Sequence, residues 1–230
     1  MKFKLGQVIM DTLLKPSPNQ LDTWISAPWT EFVAIADAPD SAKRKSYYYQ
    51  HQMRFEDMST GSDHANDHAL ILFALSFYAA TRQIPMTAKD GCSYRQAGKT
   101  EFQPDASYYI GDNADAIAWG TRIIDLEQYP LPDLVIEISD TTFNDDLGTK
   151  RLQYEELGIK EYWIVNVQTM KIYAFAIAPD GSSHHIRQSL VLSGLKLEIL
   201  EQALERSRQE NQSTVTAWLM QQYGNTVSEF

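Results

Sequence analysis

The sequence predicts an α/β fold in which a mixed β-sheet is flanked by helices. Three observations predict this class. The stretch "PDLVIEIS", residues 132–139, is typical of a buried strand, and the apolar stretch at residues 64–82 is typical of a long helix. From residue 46 onward, strand and helix patterns alternate along the chain. This alternation favours one sheet with helices packed against it.

The chain of 230 residues is long enough to bury a sizeable core, and no repeat of fixed period is present. We therefore interpret residues 1–230 as a single domain with three parts. Residues 1–44 form an N-terminal extension, in which turn-rich segments flank a short helix near "PWTEFVAIAD". Residues 45–180 form the core, and residues 181–230 add C-terminal strands and helices.

The elements of the core follow in order. A strand pair in "SYYYQHQMRFEDM" precedes the helix at 64–82, and "CSYRQAG" and "QPDASYYI" predict short strands. Residues 111–130 are a long connection. "DLVIEIS" is the next strand, followed by the helix "DDLGTKRLQYEELG", which Gly158 ends. "EYWIVNV" and "KIYAFAI" predict a hairpin, "HHIRQSLVLSGLKLEIL" predicts further short strands, and the final segment is helical.

Composition restricts the function. The formal charge of −10 argues against a nonspecific nucleic-acid coat, which needs lysines and arginines to replace counterions. A nuclease that holds metal with carboxylates stays compatible with that charge. The single cysteine, Cys92, fits a reducing compartment, and no stretch approaches 18 continuous apolar residues. We expect a soluble, cytoplasmic protein.

Glu137 interrupts an otherwise apolar strand, where a charge is costly to bury. Asp133 shares its strand face but lies about 13 Å away at about 3.3 Å per residue, too far for both to bind one ion. We therefore expect a second acidic ligand from a neighbouring strand, about 4.8 Å away. Asp105 in "FQPDASYYI" meets this need, since it also follows a proline and precedes a strand. Asp133 itself is interpreted as a turn residue.

The next helix offers a positive partner. The second residue after Glu137 is Ser139, so the strand itself supplies no lysine on that face. Lys150 lies one helical turn from Asp146 and one from Tyr154, which places the three on a common face. If this helix folds back over the strand, the Lys150 ammonium approaches Glu137.

Two carboxylates and a lysine suit metal-assisted hydrolysis of a phosphodiester. Carboxylate oxygens bind Mg²⁺ or Mn²⁺, which lowers the pKa of bound water and neutralises charge on the phosphate. The sequence therefore predicts a catalytic set of Asp105, Glu137 and Lys150, with Asp105 and Glu137 as metal ligands. Lys150 positions water or stabilises the transition state. We do not assign it as the base, because the ordinary pKa of lysine, about 10.4, lies far above neutrality.

The segments "QPD", "PDLVIEISDTT" and "DDLGTKRLQYEELGIKEYWIVN" together resemble the PD-(D/E)XK nuclease superfamily, specifically the bacterial Uma family of restriction endonucleases. The resemblance covers roughly residues 45–180. Two further segments, "YYYQHQMRFEDMSTGSDH" and "LSGLKLEILEQALERSR", are similar to one subgroup of that family. The resemblance implies a restriction-endonuclease-like mixed sheet flanked by helices, with metal ligands on two adjacent central strands.

Carried over by position, the family's Pro-Asp aspartate matches Asp105 and its strand glutamate matches Glu137. Its lysine, displaced to the next helix in this branch, matches Lys150. Glu56 or His64 matches an additional site residue near the first helix.

Two positions depart from the pattern. Ser139 stands where the superfamily has a strand lysine, and Asn166 stands where the family more often has aspartate. Because Ser139 replaces the lysine, activity depends on the next helix bringing Lys150 to the strand. Asn166 is expected to belong to a turn.

The predicted function is a metal-dependent endonuclease that hydrolyses DNA in preference to RNA. Cutting both strands of a duplex with one site per chain favours a homodimer. The same residues have structural interpretations: Glu137 as an edge-strand residue, Asp105 as a turn residue, Lys150 as half of a solvated helix pair, and His64 as a helix cap. The acidic net charge and the absence of an obvious basic stripe favour a noncatalytic interaction or nucleic-acid-binding module, and a hydrolase of small phosphodiesters is a third possibility. No motif that reads DNA sequence is present.

Overall fold

The computed structural model describes residues 21–39, 44–58 and 61–225. The chain forms two compact units built from interleaved segments. The first comprises Met1–Thr60, Ser93–Gln103 and Arg122–Gln128, and the second comprises Gly61–Cys92, Pro104–Thr121 and Tyr129–Phe230. The single domain, with its divisions after residues 44 and 180, stays a prediction.

The first unit holds a six-stranded sheet and a helix. Its strands are β1 (Ile25–Ser26), β2 (Arg44–Tyr49), β3 (Gln52–Asp57), β5 (Ser93–Gln96), β6 (Thr100–Phe102) and β8 (Ile123–Asp125), and its helix is α1 (Trp29–Ala36). The strand order is β1-β3-β2-β6-β5-β8, antiparallel except for the β5–β8 pair. Phe32 and Ile35 of α1 pack against Tyr48 and Phe55 of the sheet. The hairpin and short helix predicted here are confirmed.

The second unit holds another six-stranded sheet with helices. Its strands are β4 (Met86–Asp90), β7 (Ala106–Ile110), β9 (Leu134–Ser139), β10 (Glu161–Asn166), β11 (Lys171–Ile177) and β12 (Ser183–Ile186). Its helices are α2 (Ser62–Thr81), α3 (Phe143–Asp145), α4 (Arg151–Leu157), α5 (Leu197–Ser207) and α6 (Gln212–Asn225). The order is β12-β11-β10-β9-β7-β4, and only β9 and β10 run parallel within this sheet. The predicted mixed α/β class is therefore confirmed.

The two faces of β9 have different roles. Leu134, Ile136 and Ile138 join the main apolar core, to which α2, α5 and α6 also contribute. Because strand side chains alternate, Val135 and Glu137 point to the opposite face. Glu137 is thus buried without entering the main apolar core.

Three details differ from the predictions. The connection at 111–130 contains β8, which pairs in parallel with β5. The segment "LKLEIL", expected as a strand, begins α5, since Leu197, Leu200 and Leu204 are buried at helical spacing and a short apolar run does not distinguish the two periods. The strand β4 in "MTAKD" was not predicted, because it is a half-buried strand at the sheet edge with little apolar alternation.

The part of the predicted N-terminal extension that the structure describes, residues 21–39, contains β1 and α1. Residues 1–20 and 40–43 of that extension lie outside the described residues. Within the described residues, no helix combines the length and apolar character needed to cross a membrane.

Candidate active site

The register of β7 and β9 brings the two predicted carboxylates together. The strands run antiparallel, with Ala106 opposite Ile136 and Ser107 opposite Val135. Continued by one residue, this register places Asp105 opposite Glu137. Directly opposed side chains on one face have Cβ atoms about 4.5–5.5 Å apart. Continued past the start of β7 at Ala106, the register thus aligns Asp105 with Glu137.

Asp105 is held by the neighbouring backbone. Its Oδ2 atom accepts a hydrogen bond from the Ile138 amide at 2.7 Å, and the residue is buried. Its own carbonyl oxygen accepts from the Gly91 amide at 3.0 Å. The other carboxylate oxygen, Oδ1, lies 3.5 Å from His64 Nε2. The orientation of this carboxylate is thus fixed by β9 itself, and not by a surface turn.

Glu137 is contacted by the helical segment that follows its strand. Its side chain is 2% exposed. The Tyr154 hydroxyl donates a hydrogen bond to Oε1 at 2.8 Å, and Lys150 Nζ lies 3.7 Å from the same oxygen. The helical segment therefore folds back over β9, which is the arrangement that Lys150 needs in order to approach Glu137.

The ammonium of Lys150 has a nearer partner in Asp146. Nζ lies 2.9 Å from Asp146 Oδ1, and both side chains are 1% exposed. Thr142 Oγ1 donates to Asp146 Oδ2 at 2.6 Å, and the Tyr162 hydroxyl donates to the Asp146 carbonyl at 2.9 Å. Asp146 therefore connects Lys150 to two neighbouring hydroxyl groups.

The local backbone explains how these residues meet. Between α3 and α4, the helical path is kinked within Asp146–Lys150 instead of forming the regular helix expected from the sequence. Gly148 departs from helical geometry there, with φ −100° and ψ −105°. The chain then continues as α4 to Gly158, whose φ of 77° ends the helix, as predicted.

The site is electrostatically negative, since the carboxylates of Glu137 and Asp146 both lie beside the single ammonium of Lys150. Burial, reinforced by the Asp146 and Glu137 carboxylates, raises the pKa of Tyr162 well above its ordinary value, while Lys150 lowers it. Tyr162 thus stays a neutral donor. A negative cluster of this kind attracts a cation.

The two additional candidates, Glu56 and His64, are close in sequence but belong to different units. Glu56 lies on β3 in the first unit, buried, and its Oε1 accepts from Arg54 Nε at 2.8 Å. His64 lies in the first turn of α2, in the same unit as Asp105 and beside its carboxylate. The structure thus brings His64, Asp105, Glu137 and Lys150 into one unit.

The departures from the family pattern have local explanations. Ser139, where a strand lysine was expected, is fully buried opposite Asn166, and its hydroxyl has no hydrogen-bond partner among the described residues. Asn166 Oδ1 accepts from the Thr169 amide at 3.0 Å and so belongs to a turn, as interpreted. Asp133 binds the Ile110 amide at 2.7 Å and Lys160 Nζ at 2.6 Å, which fits its interpretation as a structural residue.

Sequence reasoning missed His68. It lies one helical turn after His64, and its Nε2 lies 3.4 Å from Asp90 Oδ1. One ring nitrogen of His68, one ring nitrogen of His64 and a carboxylate oxygen of Asp105 lie within 4.8 Å of one another. The signal was present in the sequence as two histidines four residues apart at the start of a helix.

This fold and site define a class, the restriction-endonuclease-like nucleases with acidic residues on adjacent central strands. The sequence profile of the Uma2 family, described as "Putative restriction endonuclease", matches residues 29–216. Because the match spans far more than half of the chain, the chain belongs to this family.

A solved structure agrees with the fold. The crystal structure titled as a "putative nuclease belonging to DUF820" from Anabaena variabilis superposes with a TM-score of 0.53 at 17% sequence identity. The superposition covers 77% of this chain and 98% of that one. At this identity the similarity shows the fold alone. No protein with a curated description matches the chain significantly.

Proposed function

We propose that the chain is a metal-dependent endonuclease that hydrolyses phosphodiester bonds, with DNA as its substrate in preference to RNA. The observation that carries the proposal is the antiparallel register of β7 and β9, which aligns Asp105 with Glu137 when continued by one residue, with Lys150 Nζ 3.7 Å from Glu137. Membership of a restriction endonuclease family supports it. We also propose a cytoplasmic location, which the single cysteine fits.

The donor set fits a hard divalent cation. Asp105 and Glu137 offer carboxylate oxygens, the ligands that Mg²⁺ and Mn²⁺ prefer. Such a cation supplies Lewis acidity and a lowered pKa for bound water. Asp105 and Glu137 hold and orient it, since the Ile138 amide and the Tyr154 hydroxyl fix one oxygen of each carboxylate.

Lys150 acts as a positioned cation in this proposal. Its amino group is buried, lies 2.9 Å from Asp146 Oδ1, and is on the Glu137 side of the site. There it orients the attacking water or offsets charge that develops on the phosphate. Asp146 and Tyr154 position Lys150 and Glu137 respectively.

The experiment is cleavage of DNA and RNA of mixed sequence by purified protein with Mg²⁺, Mn²⁺ or EDTA. We expect cleavage of DNA with either ion, none with EDTA, and a loss of about 10²-fold or more in Asp105→Asn, because an electrostatic contact to the reacting centre is lost. Equal activity of Asp105→Asn, or cleavage in EDTA, would contradict the proposal. Light scattering of the same sample tests the homodimer that we propose for double-strand cleavage.

A noncatalytic module is the second candidate, favoured by the contact between Lys150 and Glu137 and by the net charge of −10. In such a module Lys150 neutralises Glu137 permanently. Lys150 is closer to Asp146 than to Glu137, which leaves the Glu137 contact the looser of the two. A crystal soaked in Mn²⁺ separates the candidates: an ion bound by Asp105 and Glu137 favours catalysis, and an unchanged Lys150–Glu137 pair with no ion favours the module.

A further inference from the structure

The start of α2 carries two histidines that the proposed hydrolysis does not need. His64 and His68 are four residues apart and therefore lie on one face of the helix. Their rings are 6.2 Å apart between centroids. Two histidines with this spacing on a helix are a common way to hold a metal ion from one side.

The distances around these histidines are unusual for hydrogen bonds. His64 Nε2 lies 3.5 Å from Asp105 Oδ1, and His68 Nε2 lies 3.4 Å from Asp90 Oδ1. A normal N–H to oxygen hydrogen bond measures about 2.7–3.2 Å. Two ligands bound at about 2.05 Å to a tetrahedral ion are about 3.4 Å apart. The two nitrogen–oxygen distances therefore fit a pair of ligands on one metal ion better than they fit a direct hydrogen bond.

Both nitrogen atoms are also buried. Neither His64 Nε2 nor His68 Nε2 has a hydrogen-bond partner within the described part of the chain. A buried polar atom without a partner is costly, and a bound ion would remove that cost. Among residues 21–39, 44–58 and 61–225, His64, His68 and Asp105 form the one group of three such side chains whose ligand atoms all lie within 4.8 Å.

We propose that His64, His68 and Asp105 bind a divalent first-row transition metal, with Asp90 as a fourth ligand. Asp90 reaches this group through His68, since its Oδ1 lies 3.4 Å from His68 Nε2. Two imidazole nitrogens with carboxylate oxygens suit Zn²⁺, Co²⁺ or Mn²⁺, whereas Mg²⁺ prefers oxygen ligands alone. This site shares Asp105 with the proposed Mg²⁺ site but does not include Glu137. It needs no nuclease activity.

The test is titration of tag-free protein with Co²⁺, followed by its visible ligand-field absorption, and with Zn²⁺, followed by calorimetry. We expect one equivalent of Co²⁺ to give the intense visible bands of a four-coordinate ion with nitrogen ligands. His68→Gln and His64→Gln are each expected to weaken Zn²⁺ binding by about tenfold or more and to reduce the bands. His184→Gln, which changes an exposed histidine on β12, is the matched control and is expected to bind as the unchanged protein does.

Glu137→Gln distinguishes this site from the proposed catalytic one. We expect it to abolish cleavage and leave Co²⁺ absorption unchanged, so that a failed nuclease assay does not affect this test. Circular dichroism of each variant checks that the fold is kept. Binding that survives in both histidine variants, binding that Glu137→Gln removes, or no binding by the folded protein would each overturn the histidine site.

Discussion

Lys150 stabilises the second unit in addition to its proposed role, and replacing it with methionine tests that arrangement. Its Nζ lies 2.9 Å from Asp146 Oδ1 and 3.7 Å from Glu137 Oε1, with all three side chains at most 2% exposed. At an effective dielectric constant of about 20, these contacts attract by about 6 and about 4.5 kcal/mol. Desolvation opposes much of this attraction, so breaking the cluster should cost about 3–5 kcal/mol of the free energy of unfolding.

The assay is urea unfolding at pH 7.5, followed by tryptophan fluorescence. Lys160→Met is the matched control, because Lys160 also binds a buried carboxylate but its own side chain is 64% exposed. We expect that control to lose at most about 1 kcal/mol. Adding Asp146→Asn to Lys150→Met should recover about 1–2 kcal/mol, because a neutral amide replaces a buried charge left without its cation. The reasoning is refuted if Lys150→Met costs no more than Lys160→Met, or if the second substitution adds a further loss.

Three other substitutions test contacts of the second unit. Arg208→Ala removes the guanidinium that binds buried Asp67 at 2.6 and 2.7 Å, and should cost about 2–4 kcal/mol in urea unfolding. Arg208→Lys keeps the charge but loses the two-pronged contact, so it should lose part of that stability; a Lys variant as stable as the unchanged chain would contradict the two-pronged contact. Tyr154→Phe removes the hydroxyl bound to Glu137, and should lower the cleavage rate at unchanged substrate affinity; an unchanged rate would remove Tyr154 from the site. Burial raises the pKa of Glu161 despite four donors, so the folded state keeps that proton longer than the unfolded state, and stability should fall as pH rises from about 4.3 through the folded pKa. Glu161→Gln should remove this part of the pH dependence, and an identical profile would assign it to other groups.

The strands that carry the site were predictable because their sequence patterns are strong. β9 and β10 are short apolar runs bounded by turn residues, and α4 ends at a glycine. The opposition of Asp105 and Glu137 followed from strand geometry, since one strand spaces same-face carboxylates too widely for a shared ion.

Other features depend on tertiary structure and left a weak signal in the sequence. The strand β8 is three residues long and pairs only with β5, which is distant in sequence. The contact of Lys150 with Asp146 agrees with their spacing of four residues on a helix, whereas the kink at Gly148 was not predicted. His68 could not be recognised as a candidate ligand from its spacing to His64 alone, because its neighbours Asp90 and Asp105 are distant in sequence.

The most direct test of the proposed function is the single-turnover rate of DNA cleavage by Glu137→Gln in saturating Mg²⁺. Glu156→Gln, which changes an exposed carboxylate on α4, is measured in parallel. Our account predicts that Glu137→Gln loses about 10²-fold or more of the rate while Glu156→Gln keeps it. A Glu137→Gln protein that cleaves as fast as the unchanged chain would contradict the account.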